Sequence, residues 1–156
     1  MDNVPNGDIR ILIGDMNAKL GGDNRGRELT MGREALGEMN NNGELFSDFC
    51  GFNDLVIGGS VFKHKDMHKA TWISPDGHTE NQMDFISISR KWRWSLLDTR
   101  SRRGADVGSD HHLVQGIFKV KLKASRIARD KSQCKFNTQK ATDTTTKDTF
   151  TARNTT

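Results

Sequence analysis

A chain of 156 residues has room for one domain with a core of modest size. Hydrophobic residues make up 33% and charged residues 28%, so packing over the whole length is not expected, and no apolar run approaches the roughly 18 residues of a membrane span. The net charge of +4 and the pI near 9.2 favour a polyanionic partner.

Residues 1–8 lack the basic start and apolar centre of a secretory signal and are expected to form a short leader. Ile9 to Ile13 alternate as a strand does, and Gly14 is expected to stop it. Residues 18–42 are rich in Gly, Asn and charge and read as a long loop. Glu44 to Cys50 predict a helix with Leu45, Phe46, Phe49 and Cys50 on one face, Asn42 as N-cap and Gly51 as the stop. Leu55-Val56-Ile57 predict a short buried strand, and Ala70 to Ile73 another, closed by the turn Ser74-Pro75-Asp76-Gly77.

Met83 to Ser89 form the most informative predicted strand. Alternation puts Asp84, Ile86 and Ile88 on one face, and an acid there needs a partner, for which an imidazole is well suited. Ser95 to Asp98 predict a further strand and Leu113 to Lys123 a last one. Residues 124–156 are polar and rich in threonine, and read as a linker or disordered tail. The folded part is expected to span residues 9–123.

Cys50 and Cys134 do not make a disulfide framework and read as reduced thiols of an intracellular protein. Basic residues cluster at Arg100, Arg102 and Arg103, and again between Lys119 and Lys135. They suit either a solvated strand edge and linker or a surface that attracts phosphate.

Three short polar clusters offer chemistry. Asp15 and Asn17 flank one position after the first strand; they suit a base and a phosphate-holding amide, or simply a turn. Asp110-His111 lies in a loop before the last strand, where an imidazole can donate to a phosphoryl oxygen and an acid can bind a hard cation. Taken alone, that pair reads equally as a surface turn, and His112 is a second choice for the functional ring. Asn81 and Gln82 beside Asp84 suit turn positions. Trp72 reads as core, with a groove-lining role as the alternative. His64 and His68 have the spacing of a zinc pair but lack a helix signal and further ligands.

In their order these clusters resemble the C-terminal half of the endonuclease/exonuclease/phosphatase superfamily, which includes abasic-site endonucleases and pancreatic deoxyribonuclease. The closer likeness is to the endonucleases of non-LTR retrotransposons and their craniofacial development protein 2-like relatives. It is carried by Leu12-Ile13-Gly14-Asp15-Met16-Asn17-Ala18, Phe52-Asn53-Asp54-Leu55-Val56-Ile57-Gly58-Gly59 and His68-Lys69-Ala70-Thr71-Trp72. It continues through Ser74-Pro75-Asp76-Gly77, Asn81-Gln82-Met83-Asp84, Arg103-Gly104-Ala105-Asp106 and Ser109-Asp110-His111-His112-Leu113.

The resemblance implies an α/β fold, the C-terminal half of a two-sheet α/β sandwich with its site at one rim. It implies that Asp15 orients or deprotonates the attacking water and that Asn17 helps hold the scissile phosphate. His111 contacts that phosphate with Asp84 bonded to it, and Asp110 lies beside a divalent cation, Mg²⁺ or alternatively Mn²⁺. Trp72 is implied near the substrate groove. The implied substrate is DNA, met through its phosphate backbone in the nucleus. The implied partners are a complementing N-terminal half or a downstream reverse transcriptase domain, and no membrane.

The pattern departs in two respects, of which the milder is Met83 and Phe85 in place of the more usual aliphatic and Tyr or His, conservative for the strand. The superfamily's N-terminal half carries an early Asn, the chief metal-ligand Glu and a Tyr; fourteen residues precede Asp15, and the chain contains no Tyr. Weakened Mg²⁺ binding and uncovered apolar faces and sheet edges are therefore expected. The expected function is that of a truncated Mg²⁺-dependent DNA endonuclease domain. The alternative is a non-catalytic, retrotransposon-derived remnant that binds nucleic acid or a partner protein.

Overall fold

The computed structural model describes residues 4–5, 7–104 and 108–121. The chain divides into two units, Met1–Val120 and Lys121–Thr156, and the described residues belong almost wholly to the first. The expected tail at 124–156, Cys134 and the basic residues beyond Lys121 lie outside the described residues.

The first unit is a mixed α/β structure whose strands pair antiparallel throughout. Its elements are β1 (Ile11–Asp15), α1 (Asn41–Phe52), β2 (Leu55–Ile57), β3 (Trp72–Ile73), β4 (Glu80–Asn81), β5 (Asp84–Ser89), β6 (Leu96–Arg102) and β7 (Leu113–Phe118). They form three sheets, ordered β1-β5-β2, β3-β4 and β6-β7. No helix among the described residues is long and apolar enough to cross a membrane.

β5, the strand predicted at Met83 to Ser89, is the central strand of its sheet. Buried along nearly its whole length, it pairs with β1 on one side and β2 on the other. On one face Phe85, Leu55 and Ile57 meet Phe46 and Cys50 of α1 and, from the long loop, Ala18, Leu20, Met31 and Ala35. The rings of Phe46 and Phe85 lie 5.5 Å apart at a 36° tilt, in the range where aromatic edges and faces attract. On the other face Ile86 and Ile88 are covered from the direction of β6 and β7. A Cβ on Gly116 of β7 would lie 3.0 Å from Ile86 Cδ1, and one on Gly58 would lie 2.6 Å from Leu96 Cδ2.

Four local expectations are corrected. Gly14 does not end β1; it pairs with Phe85, and the strand runs on until Asp15 faces Asp84. In α1 the buried residues are Gly43, Phe46, Ser47 and Cys50, while Leu45 and Phe49 are 69% and 45% exposed. Small residues occupy that face because the helix rests on loop backbone: a Cβ on Gly43 would sit 1.9 Å from Lys19 O. The N-cap is Asn40 rather than Asn42, since Asn40 Oδ1 accepts from both Gly43 N (2.8 Å) and Lys19 N (3.0 Å). Gly51 stays helical, and the left-handed residue after the helix is Asp54, with φ 53°.

The two C-terminal strands also differ from expectation. β6 reaches Arg102, and β7 stops at Phe118, with one further bond from Lys119 N to Ser95 O. The apolar exposure expected at the edges is present: Ile11 and Ile13 on β1 are 45% and 65% exposed, and Leu113 and Ile117 on β7 are 55% and 43%.

Candidate functional site

The β1–β5 register builds the site. Ser89 N donates to Arg10 O and Met16 N to Met83 O, so by alternation Asp15 and Asp84 face one another at a non-hydrogen-bonded position, where side chains approach most closely. Two carboxylates directly opposed on a sheet destabilise it. A third group offsets that cost here: His111 Nδ1 donates to Asp84 Oδ2 at 2.9 Å. One ligand-type atom from each of Asp15, Asp84 and His111 lies within 4.8 Å of the others. Asp15 is exposed and the other two are half-buried, so the group opens to solvent.

The His111 ring is held for electrostatic as well as geometric reasons. Its hydrogen bond to Asp84 raises the imidazole pKa above the ordinary histidine value, and the charges of Asp84, Asp15 and Asp110 push the same way against desolvation. With Nδ1 engaged by Asp84, Nε2 is the ring nitrogen left to meet a further group.

Thr71 aligns the pieces. Nearly fully buried, its Oγ1 accepts from Met83 N (2.9 Å) and Asp84 N (3.1 Å), and its carbonyl accepts from His112 N (2.7 Å). The next residue, Trp72, bridges to His111 and donates from Nε1 to Asp110 Oδ2 at 2.8 Å. Ser109 Oγ then accepts from His111 N at 3.1 Å. One strand-turn segment thus fixes both the acid and the imidazole.

Of the residues predicted for the site, Asp15, Asp84 and His111 are brought together. Asp110 sits beside them with one oxygen on Trp72. Trp72 is not a core residue; it is half-buried and holds Asp110. Asn17 is exposed, with φ 48°, its N–H on Asp15 Oδ1 (2.8 Å) and its carbonyl accepting from Asn42 Nδ2 (3.1 Å). Asp15-x-Asn17 thereby forms an Asx turn, the second of the two readings of this pair. His111 supplies the ring bonded to Asp84, whereas His112 is held to Thr71 through its backbone N–H.

Two polar residues were not foreseen as organisers. Thr71 gives no signal beyond its place in a strand. Gln82, read as a turn residue, is 5% exposed and ties Leu36 N (3.0 Å) to Gly59 O (3.1 Å). The His64/His68 pairing does not occur as a metal group among the described residues; His64 instead meets Asp98 at 2.6 Å. Arg100, Arg102 and Arg103 are engaged locally by Asp98, Gln115 and Glu80.

In sequence the chain is similar to craniofacial development protein 2 of Tragulus javanicus, 39% identical over 125 residues, 79% of this chain and 21% of that protein. Craniofacial development protein 2 of Bos taurus is 38% identical over 125 residues, covering 79% and 20% respectively. The chain therefore spans about a fifth of the length of these curated relatives. No family model matches the chain, and no solved structure matches it significantly.

Proposed function

We propose that Asp15, Asp84 and His111 belong to a phosphodiester-cleaving site of the endonuclease/exonuclease/phosphatase type, with DNA as substrate and Mg²⁺ or Mn²⁺ as cofactor. On this reading the helix-covered central sheet and the β6-β7 sheet make up one part of a two-sheet sandwich. One observation carries the reading: a strand register that opposes two carboxylates, with an imidazole bonded to one of them. Opposed carboxylates on neighbouring strands are costly unless a third group offsets them, as His111 does and a bound cation would.

The donor set fits the cofactor's chemistry. Asp15 keeps Oδ2 and Asp84 keeps Oδ1 after their hydrogen bonds to Asn17 N and His111 are counted, and Asp110 keeps Oδ1 beside Trp72. A hard cation is commonly held by one or two carboxylates and several waters, and a set without the superfamily's chief Glu would hold it weakly. When bound it supplies charge neutralisation at the phosphoryl group and a more acidic water. Asp15 orients or deprotonates the attacking water. His111, locked through Nδ1, donates from Nε2 to a non-bridging phosphate oxygen, and the Asn17 amide steadies the same group.

Exposed Ile11 and Ile13 on edge strand β1 support a second reading, a non-catalytic piece that docks on nucleic acid or a protein. The two readings separate in one assay: nicking of supercoiled plasmid by the purified chain across Mg²⁺ concentrations, beside His111→Ala. The first expects slow nicking that needs the metal and falls about 100- to 1000-fold in the variant. Failure to nick at any Mg²⁺ concentration would reject an autonomous enzyme in favour of the second.

A further inference from the structure

β5 has Asp84 at one end and at the other enters a 3₁₀ turn, Arg90–Ser95, of sequence Arg-Lys-Trp-Arg-Trp-Ser. Six strand residues separate the two ends by about 20 Å. Trp94 in this turn is 82% exposed. The Arg93 guanidinium lies over its ring, 4.7 Å from the centroid. Both line an apolar recess floored by Val56, Ile88 and Leu96. The turn carries three basic residues, and Arg90 is paired with Asp54 at 3.2 Å.

We infer that Trp94, backed by Arg93, is a stacking platform for an unpaired nucleic-acid base, with the charge of Arg93 drawing the adjoining phosphate. Trp and Arg alone would suit a protein interface as well; a turn that carries Arg90, Lys91 and Arg93 and no acid favours a polyanion instead. An exposed ring beside basic residues is what a single-stranded nucleic-acid surface requires, because every base offers a face to stack and every linkage a negative charge. Arg93 serves both ends, by cation–π contact with the ring and by its charge. The inference rests on the proposed function only for the choice of DNA. Binding at Trp94 does not require cleavage at His111.

The test is titration of the full chain with a fluorescein-labelled oligo(dT) in EDTA, following anisotropy and tryptophan emission. Wild type is expected to bind saturably with quenched emission. Trp94→Ala should lose that quench and bind about 5- to 100-fold more weakly, whereas Trp94→Phe should retain most of the affinity. Arg93→Ala should weaken binding and flatten its salt dependence. Trp94 is exposed, so melting of its variants should match wild type. Affinity of Trp94→Ala within twofold of wild type would overturn the inference. So would a wild type that self-associates through Trp94 in sedimentation while oligo(dT) leaves its emission unchanged. The same preparations assayed for nicking in Mg²⁺ keep the two claims apart: quenching without cleavage counts against the cleavage reading alone.

Discussion

Two carboxylate–imidazole pairs sit among the described residues, and they differ in everything but their chemistry. Asp98 and His64 meet at 2.6 Å with side chains 13% and 16% exposed, and Arg100 bonds to the same carboxylate. Asp84 and His111 meet at 2.9 Å with side chains 20% and 31% exposed, and the third group beside them is another acid, Asp15. The first pair is closed and neutralised, which suits a pin between β6 and the loop before β3. The second is open and carries excess negative charge. Carboxylate and imidazole together identify nothing; the sign of the third charge and its access to water do.

The largest separation of the two pairs should come from chemistry. Asp15→Asn keeps the shape of the Asx turn, and we expect nicking to fall about 100-fold while the urea midpoint stays at or above that of wild type, since the opposed charge is relieved. Stability should respond in the opposite place. Asp98→Ala strands His64 and Arg100, and we expect a loss of about 2–3 kcal/mol in urea unfolding. Nicking per folded molecule should then be unchanged.

The pH dependence of the two pairs runs in opposite directions. His111 has its folded pKa raised, so its contribution to stability is complete below the unfolded value of about 6.5 and disappears as pH rises through the folded value. Its ring Cε1 proton, followed by NMR, should titrate above 6.5 and move down in Asp84→Asn. Burial pushes the Asp98 carboxyl up, but Arg100 and His64 outweigh burial and hold it below the usual carboxylate range. That stability is present above the unfolded carboxyl value of about 4 and is lost as pH falls through the lower folded one.

The smallest expected effect concerns Cys50. Burial pushes its thiol up to about 11, only partly countered by Ser87 Oγ, and it is wholly enclosed. Ellman's reagent at pH 8 should therefore modify it only on unfolding.

What the sequence made legible was the local part. The strand character of β2 and β5, the Ser74–Gly77 turn and the need of Asp84 for a partner all follow from alternation, turn chemistry and the cost of a buried charge. The position of Gly14 inside a strand, the rotated face of α1 and the choice of Asn40 as cap did not. Each is decided by something distant in sequence: Phe85 for Gly14, the Lys19 backbone for Gly43 and Asn40. The core role of Leu20 and Met31 was hidden by the polar loop around them. Thr71 was hidden because a hydroxyl that organises backbone leaves no pattern. Asp15, Asp84 and His111 could be named one by one, but only the antiparallel register shows that two of them are opposed.

The account is tested most directly by the rate of Mg²⁺-dependent plasmid nicking per folded molecule in wild type, Asp84→Asn and Asp98→Asn, measured side by side. It predicts a loss of about 100-fold or more for Asp84→Asn and a rate within twofold of wild type for Asp98→Asn. Equal rates for the two variants, or no nicking by wild type at any Mg²⁺ concentration, would contradict it.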